Sequence, residues 1–504
     1  MSLVKKVFIA IPVGLLLSPL ILSCGDNNNE YTYLRVLNSE DYIDTSVITD
    51  FENEYNSSHP NSKKVKVVYD TFDTMENMFN TLKTGKTKYD LVCASEYMIQ
   101  KLYKQDLIKE INKNKVPHYF EESSNNSIGS KCSPFISKKL SSVEFADNKT
   151  LFDYTVCYMW GTLGILYNPK YESYQSIGEK QVKQDVNASY GVLWDNKYKR
   201  TISIKDSMRD TYAIGLLYNQ SEKFKDEKTS DNERNAIFNW GGEDDDNAKE
   251  HINMVKKSLL SLRENIFGFE VDSGKEDIVT GKIGMNTAWS GDAIYSMNEA
   301  DEEGGATLYY AIPEEGGNLW FDCWSQLKTS SSDDEACAFL DYMSRPENAI
   351  RNMKKIGYTS AIAGGPDNNE ESSKDNDIFS YFNDKYQDES GTDSYDIGYF
   401  FKQGNNEQDY KIQINKNSDK PNRQLGAQLP SLDTTKKLMI MKDYGNNNDL
   451  IMKMWEEVKH ETLPTWAIVL FVIEITAILG GAVFLIAHSY SSKKRRKLRR
   501  KSRV

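Results

Sequence analysis

KVKVVYDTFDTMENMFNTLKTGKTKYDLVCASEYMIQKLY, residues 64–103, decides the fold class. It opens on alternating β-branched residues (64–70), the period-two pattern of a strand. Asp73 and Thr74 then start a helix in which Met75, Met78, Phe79 and Leu82 recur at i, i+3, i+4 and i+7, one apolar face. Residues 90–94 (DLVCA) read as a short buried strand, and 97–103 begin the next helix. On the N-terminal side, 33–38 (YLRVLN) read as a strand, and Asp44-Thr45 start a helix with Val47, Phe51 and Tyr55 at every fourth position. The order β-α-β-α-β predicts a parallel sheet flanked by helices. In such sheets ligands gather at the carboxyl ends of the strands, which fall at residues 38–42, 71–73 and 95–97. The end of this stretch, NTLKTGKT (80–87), has the tail of a phosphate-binding loop. Asn80 stands where its first glycine belongs, and a helix precedes it where a strand should, so it is discarded.

Further along, residues 120–150 are polar and irregular, and 155–168 return to apolar alternation. Residues 190–206 end in a strand, and the chain turns helical from Ser207. Residues 219–250 read as an acidic, low-complexity connection. Residues 333–356 read as a helix interrupted at Pro346 and leading into Gly357-Tyr358. Residues 361–428, rich in Asn, Asp, Ser, Gly and Gln, read as a polar, mobile insertion. Helical periodicity returns at 432–459, and no internal repeat is visible.

At 504 residues the chain exceeds one ordinary core, so two or more lobes are expected. The formal net charge is -12 although the last twelve residues, KKRRKLRRKSRV, are almost all basic. A folded part that acidic argues against a nucleic-acid partner and suits a cationic ligand. The six cysteines (Cys24, Cys93, Cys132, Cys157, Cys323, Cys337) form no CxxC pair and no zinc spacing, and read as buried thiols apart from Cys24.

Both ends address the chain to a membrane. Lys5 and Lys6, an apolar run to Leu22 and then Ser23-Cys24-Gly25 read as a secretory signal over residues 1–24. Its end resembles a bacterial lipobox, which makes Cys24 the lipidation site; the competing reading is an uncleaved signal anchor. Residues 25–32 read as a polar tether. Residues 466–488 are almost wholly apolar and long enough to span a bilayer. The basic tail after them (489–504) places the C-terminus in the cytoplasm and the globular part outside. Glu474 within the span has two readings, a partner-helix contact or a side chain reaching the interface.

The candidate site centres on residues 281–326, which hold Trp289, Trp320 and Trp324 with Asp322 between the last two. In an extended chain Trp320 and Asp322 share a face. An aromatic face beside a carboxylate attracts an ammonium by ring quadrupole and by charge. Trp324 is assigned to the core. Gly291, Gly316 and Gly317 allow close backbone approach. No enzyme constellation emerges: five histidines are scattered and neither HExxH nor GxSxG occurs. The run Glu243–Asp246 lacks EF-hand spacing and reads as a solvated loop; no metal or cofactor is expected.

Several segments, in order, resemble the spermidine/putrescine-binding subunits of bacterial ABC importers. They are NSEDYI (38–43), YDTFDTMENMFNTLK (69–83), YDLVCASEYMIQKL (89–102), YMWGTLGILYN (158–168), GVLWDNKYKRTISIKDSMRD (191–210), GKIGMNTAWSGDA (281–293), IPEEGGNLWFDCW (312–324), SRPENA (344–349) and IGY (356–358). The series closes with 429–459. The resemblance implies an α/β, two-lobed, type II periplasmic-binding-protein-like fold that closes by a hinge. It divides the chain into lobe 1 (33–157 with about 323–360) and lobe 2 (158–322 with about 429–460). It implies a polyamine ligand, a permease and an ATPase subunit as partners, and no cofactor. Carried over by position, the ligand-binding residues are Tyr42, Ser95, Tyr97, Asp206, Asp210, Trp289, Trp320, Asp322 and Tyr358. Ser39 and Met441 depart from the family pattern, and they keep open a different organic cation or small solute in the same fold. A surface lipoprotein with a scaffold or adhesin role is the alternative from another class.

Overall fold

The computed structural model describes residues 30–120, 132–363, 377–401, 410–415 and 419–459. The signal segment with Cys24, the apolar stretch 466–488 and the basic tail lie outside the described residues. Among the described residues, no helix is long and apolar enough to cross a membrane.

In chain order the strands are β1 (Tyr31–Ser39), β2 (Lys64–Phe72), β3 (Leu91–Ser95), β4 (Ile108–Lys109), β5 (Val156–Tyr167), β6 (Ile202–Lys205) and β7 (Gly268–Glu270). There follow β8 (Met285–Trp289), β9 (Tyr309–Ala311), β10 (Gly317–Leu327), β11 (Thr359–Ser360), β12 (Asp393–Asp396), β13 (Lys411–Ile414) and β14 (Leu438–Met439). The main sheet runs β2-β1-β3-β10-β5-β8-β6-β7. β1 pairs in parallel with β2 and β3, as the βαβ pattern predicts. The helices between them, Thr45–Ser58 and Met75–Thr84, are capped by Asp44 and Thr74. Gly85, at φ 61°, ends the second in a left-handed turn, so the Gly-Lys-Thr sequence is a helix terminus.

β5 and β10 join the two lobes. Every residue of β5 is buried, which is why its sequence is an unbroken apolar run. Its first half pairs with β10 and β11 and its second half with β8 and β9. One hydrophobic core includes Trp160 and resumes at Leu319, whereas the second starts at Leu163. The boundary between lobes therefore falls at Gly161–Thr162, a few residues beyond the expected 157/158.

Four stretches differ from expectation where they are described. Residues 219–250 contain two helices, Ser221–Lys225 and Asp231–Phe238, the second capped by Ser230 and anchored by buried Ile237 and Phe238. The stretch 361–428, where it is described, packs mainly on the first lobe, and its last helix also touches the second. Ile378, Phe382 and Tyr386 form one buried helical face, β12 pairs with β13, and Phe400 stacks on Trp160 with centroids 5.7 Å apart. Averaged composition hides sparse anchors of this kind, since a few well-spaced aromatics suffice to fix a polar segment. Residues 432–459, expected to be one helical stretch, are broken by β14 before the helix Asn448–Lys459. The tether also ends early, because β1 begins at Tyr31.

Candidate functional site

Asp322 lies on β10 directly opposite Ser95, the last residue of β3. Ser95 occupies the N-cap position of the helix Glu96–Lys104, yet its hydroxyl makes no capping bond. It donates to Asp322 Oδ1 at 2.7 Å, while the Tyr42 hydroxyl donates to Oδ2 at 2.8 Å. Tyr42 is held in place by its own backbone: its carbonyl accepts from the Asn38 amide and from the Tyr158 hydroxyl. Tyr158 is the residue skipped in the β5–β10 register beside Asp322, and its buried ring packs between Tyr42 and the core Trp324.

An aromatic wall continues from there. Tyr42 and Tyr358 meet edge to face at 5.7 Å, and Trp320 meets Tyr358 at 5.3 Å. Two glycines make this packing feasible. Trp320 lies across the sheet from Gly161, where a Cβ would sit 2.4 Å from the indole. A Cβ at Gly291 would sit equally close to the Tyr358 ring. Gly291 thus serves a side chain of the wall.

Tyr358 also reaches the other lobe, where its hydroxyl donates to Asp292 Oδ1 at 2.8 Å. Asp292 is paired with the buried Lys205 at 3.0 Å, and Lys205 is paired with Glu270 at 3.1 Å. Burial works against the Lys205 charge, but Asp292 and Glu270 overcome it and hold its pKa above the ordinary lysine value. The same ammonium lies 4.7 Å from the Trp289 ring centre. Trp289 in turn donates its indole N–H to Asp210 Oδ2 at 3.1 Å.

The charge of Asp322 has no such balance, and that of Asp210 is countered only in part, by Lys205 and Arg209, which oppose the rise in its pKa. Among the described residues, no ion pair reaches either of them. Burial raises the pKa of both. For Asp322 the hydroxyls of Ser95 and Tyr42 oppose that rise, and the negative charge of Asp210 adds to it. A buried carboxylate without a cation costs several kcal/mol relative to a paired one. Neutral hydroxyl donors offset part of that at about 1.5–3 kcal/mol each. The cleft is therefore poised to take up positive charge.

Five sequence-predicted residues (Tyr42, Ser95, Trp320, Asp322, Tyr358) form one connected group, and Trp289 with Asp210 form a second, linked through Lys205 and Asp292. Tyr97 and Asp206 are engaged differently. The Arg209 guanidinium lies 3.7 Å from the Tyr97 ring and 4.3 Å from that of Tyr444, so a protein cation occupies a face of Tyr97. Asp206 is paired with Lys459 at 3.2 Å, and Ser207 caps the helix in its place. Met441 points into the second core, and its carbonyl accepts from Gln100 of the first lobe. Glu40 is exposed, and Trp324 is core, fully buried.

Sequence reasoning missed Glu96, Lys205, Arg209 and Asp292. Glu96 looks like a surface acid in a first helical turn, yet it is fully buried, accepts from the Phe321 N–H at 2.9 Å, and is pushed by burial up to about 8. Lys205 ends a strand where lysine usually marks solvent. Asp292 was the most legible, one helical turn beyond Trp289. The acidic run at 243–246 is partly spent on internal contacts, Glu243 with Lys104 and Asp245 with His251. Among the described residues, no cluster of His, Cys, Asp and Glu is placed to hold a metal. Cys93, Cys132, Cys157, Cys323 and Cys337 are free and buried.

A family model described as bacterial extracellular solute-binding protein matches residues 47–379, well over half of the chain. The chain belongs to this family. It is accordingly a solute-binding protein and not an enzyme. The putrescine-binding periplasmic protein of Escherichia coli is 26% identical over 365 residues, covering 71% of this chain and 85% of that one. The spermidine/putrescine-binding periplasmic protein of Salmonella typhimurium is 23% identical over 335 residues, 66% and 78% of the two chains. Among solved structures, a putative spermidine/putrescine ABC transporter protein from Listeria monocytogenes superposes with a TM-score of 0.54 at 22% identity, covering 85% of this chain and 98% of that one. That likeness establishes the two-lobed α/β architecture of this solute-binding protein.

Proposed function

We propose that this chain binds a linear, multiply protonated amine of the putrescine and spermidine class between its lobes and hands it to the permease of an ABC importer. The observation that carries this reading is the pair of carboxylates, half-buried Asp322 and buried Asp210, neither of them in an ion pair among the described residues, set along an aromatic wall. An ammonium beside each would relieve the desolvation cost, and Trp320, Tyr42 and Tyr358 would cover the methylenes between. A micromolar Kd requires about 8 kcal/mol net. Two charge-assisted contacts at roughly 1.5–3 kcal/mol each and several cation–π contacts at about 0.5–2 each reach that range before ordering costs.

Two relatives carry putrescine in their names, which supports the same ligand class. The binding set comprises Tyr42, Ser95, Asp210, Trp289, Trp320, Asp322 and Tyr358. Tyr97 acts at its edge through Arg209, and Asp206 is left to Lys459. The chain is held at the membrane by a lipid on Cys24 and by residues 466–488, with the globular part outside and the basic tail in the cytoplasm. A thermal-shift series with putrescine, spermidine, thiamine and an amino-acid panel tests the ligand class, since a solute that binds only the folded state raises its melting temperature. A rise confined to the polyamines is the expected result. A rise with thiamine or an amino acid alone would reassign the ligand.

A further inference from the structure

The family match ends at residue 379, and the segment after it makes contacts of its own. The helix Asp419–Gln428 lies between the lobes. On one side, Leu425 and Leu429 are buried in the first core. The carbonyls there are tied down by hydroxyls of the first lobe: Thr359 donates to Gln428 at 3.0 Å, Tyr395 to Leu429 and Tyr399 to Pro430, each at 2.8 Å. On the other side, Ala427 is buried among Ala288, Ala293, Ile294 and Met297 of the second lobe. Arg423 reaches the far end of the helix Ser290–Glu302, the one that begins beside Trp289 and carries Asp292. Its Nη2 donates to both oxygens of Asp301, at 3.0 and 2.8 Å, and its Nη1 donates to the Leu308 carbonyl. Gln424 adds a third bond to Asp301 at 3.0 Å.

We propose that Arg423 is a positioning residue for the cleft. Through its contact with both oxygens of Asp301, the helix Asp419–Gln428 clasps the Asp292 helix of the second lobe to the Tyr358 side of the first, and so holds the lobes closed. The argument has three parts. The side chain of Arg423 is 3% exposed, so its charge is desolvated and its pairing with Asp301 is not the weak kind found on surfaces. A planar guanidinium held at one terminal nitrogen by both Asp301 oxygens and at the other by the Leu308 carbonyl is fixed in orientation as well as distance. The clasp also holds both neighbours of the interlobe bond between Tyr358 and Asp292: Thr359 on one side and the Asp292 helix on the other. The segment thus adds a connection between the lobes beside the crossing strands β5 and β10, and closure is biased before ligand arrives.

The ligand part of this proposal rests on the polyamine reading above, whereas the closure part does not, and the experiment separates them. Arg423→Gln, Asp301→Asn and the conservative Arg423→Lys are made in the full chain, and each is first checked for folding by near-UV circular dichroism. Small-angle scattering without ligand then reads lobe opening, and stopped-flow tryptophan fluorescence with putrescine reads release. Arg423→Gln and Asp301→Asn are expected to enlarge the ligand-free radius of gyration and to speed putrescine release about tenfold or more, the factor that loss of one charge-assisted contact implies. Arg423→Lys, which keeps the charge and loses the fork, falls between. If Arg423→Gln does not fold, Asp301→Asn carries the test. Folded variants with an unchanged radius overturn the clasp whatever they bind. If wild type ignores putrescine while the variants open, the clasp stands and the polyamine reading falls.

Discussion

Asp322→Asn removes a charge and keeps a shape, and it separates a ligand site from a structural hydrogen-bond hub. The carboxylate is half-buried, accepts from two hydroxyls, and makes no ion pair among the described residues. An amide keeps an acceptor for one hydroxyl and lets the other reorient. Relief of the buried charge compensates for the weaker bonds, so ligand-free stability is expected to stay within about 1 kcal/mol of wild type or to rise. Binding moves the other way. Removing one partner of a buried charge pair costs about 2–5 kcal/mol, or roughly 30-fold to several-thousand-fold in Kd. The pH profile adds a second sign. Burial raises the folded-state pKa of Asp322, so its contribution to ligand-free stability is present at low pH and is lost as pH rises through that pKa. Putrescine needs the ionised form, so affinity rises over the same interval. The assay is calorimetric titration with putrescine across pH, paired with thermal unfolding without ligand. A variant that melts several degrees lower yet binds putrescine as wild type does would show that Asp322 only organises Tyr42 and Ser95, and would refute the reasoning.

Other consequences are equally direct. Glu96 is buried and pushed from the ordinary carboxylate value up to about 8. Its stabilising contribution is therefore complete below about pH 4.5 and lost towards pH 8, and Glu96→Gln should flatten the melting curve over that range by a few kcal/mol; parallel curves would exclude this. Tyr358→Phe removes the bond to Asp292 while leaving Lys205 in place, and should weaken putrescine binding about fivefold, the worth of one hydrogen bond near 1 kcal/mol. An unchanged Kd by calorimetry would mean that this contact plays no part in the liganded state. Gly161→Ala puts a methyl 2.4 Å from the Trp320 ring and 2.6 Å from Ser290 Oγ. It should cost about 1–3 kcal/mol of stability and shift tryptophan emission, whereas an unaltered spectrum and melting point would show that the wall has room to yield.

Much of the fold is legible in the sequence because local signals agree with the tertiary result. The alternation in 64–70, the apolar face of Met78, Phe79 and Leu82, and the fully apolar 156–167 each specify one structural state. The boundary between the lobes is less legible, since a continuous apolar strand carries no mark of where one core gives way to the next. The described parts of 377–428 differ from the polar, mobile reading because their anchors, such as Phe382 and Phe400, are few among polar neighbours, and only tertiary contacts, such as that of Phe400 with Trp160, give such anchors a purpose. Of the candidate site, the types and positions of Trp320, Asp322 and Tyr358 can be read from the sequence, and the fold brings the three together. The resident cations were not. A lysine at a strand end and an arginine in a helix's first turn look like solvent-facing residues until tertiary packing brings Asp292 to the lysine within its own lobe and Tyr97 of the facing lobe to the arginine.

The central claim is that the cleft selects paired ammonium groups by Asp322 and Asp210, two carboxylates withdrawn from water and held in no ion pair among the described residues. Its most direct test is calorimetric titration of the full chain with putrescine and, separately, with butane-1,4-diol, which keeps the length and the methylenes and replaces both charges with hydroxyls. Saturable one-to-one binding of the diamine at micromolar or lower Kd, with no detectable binding of the diol, is the predicted result. No binding of putrescine or spermidine, or comparable binding of diamine and diol, would contradict it.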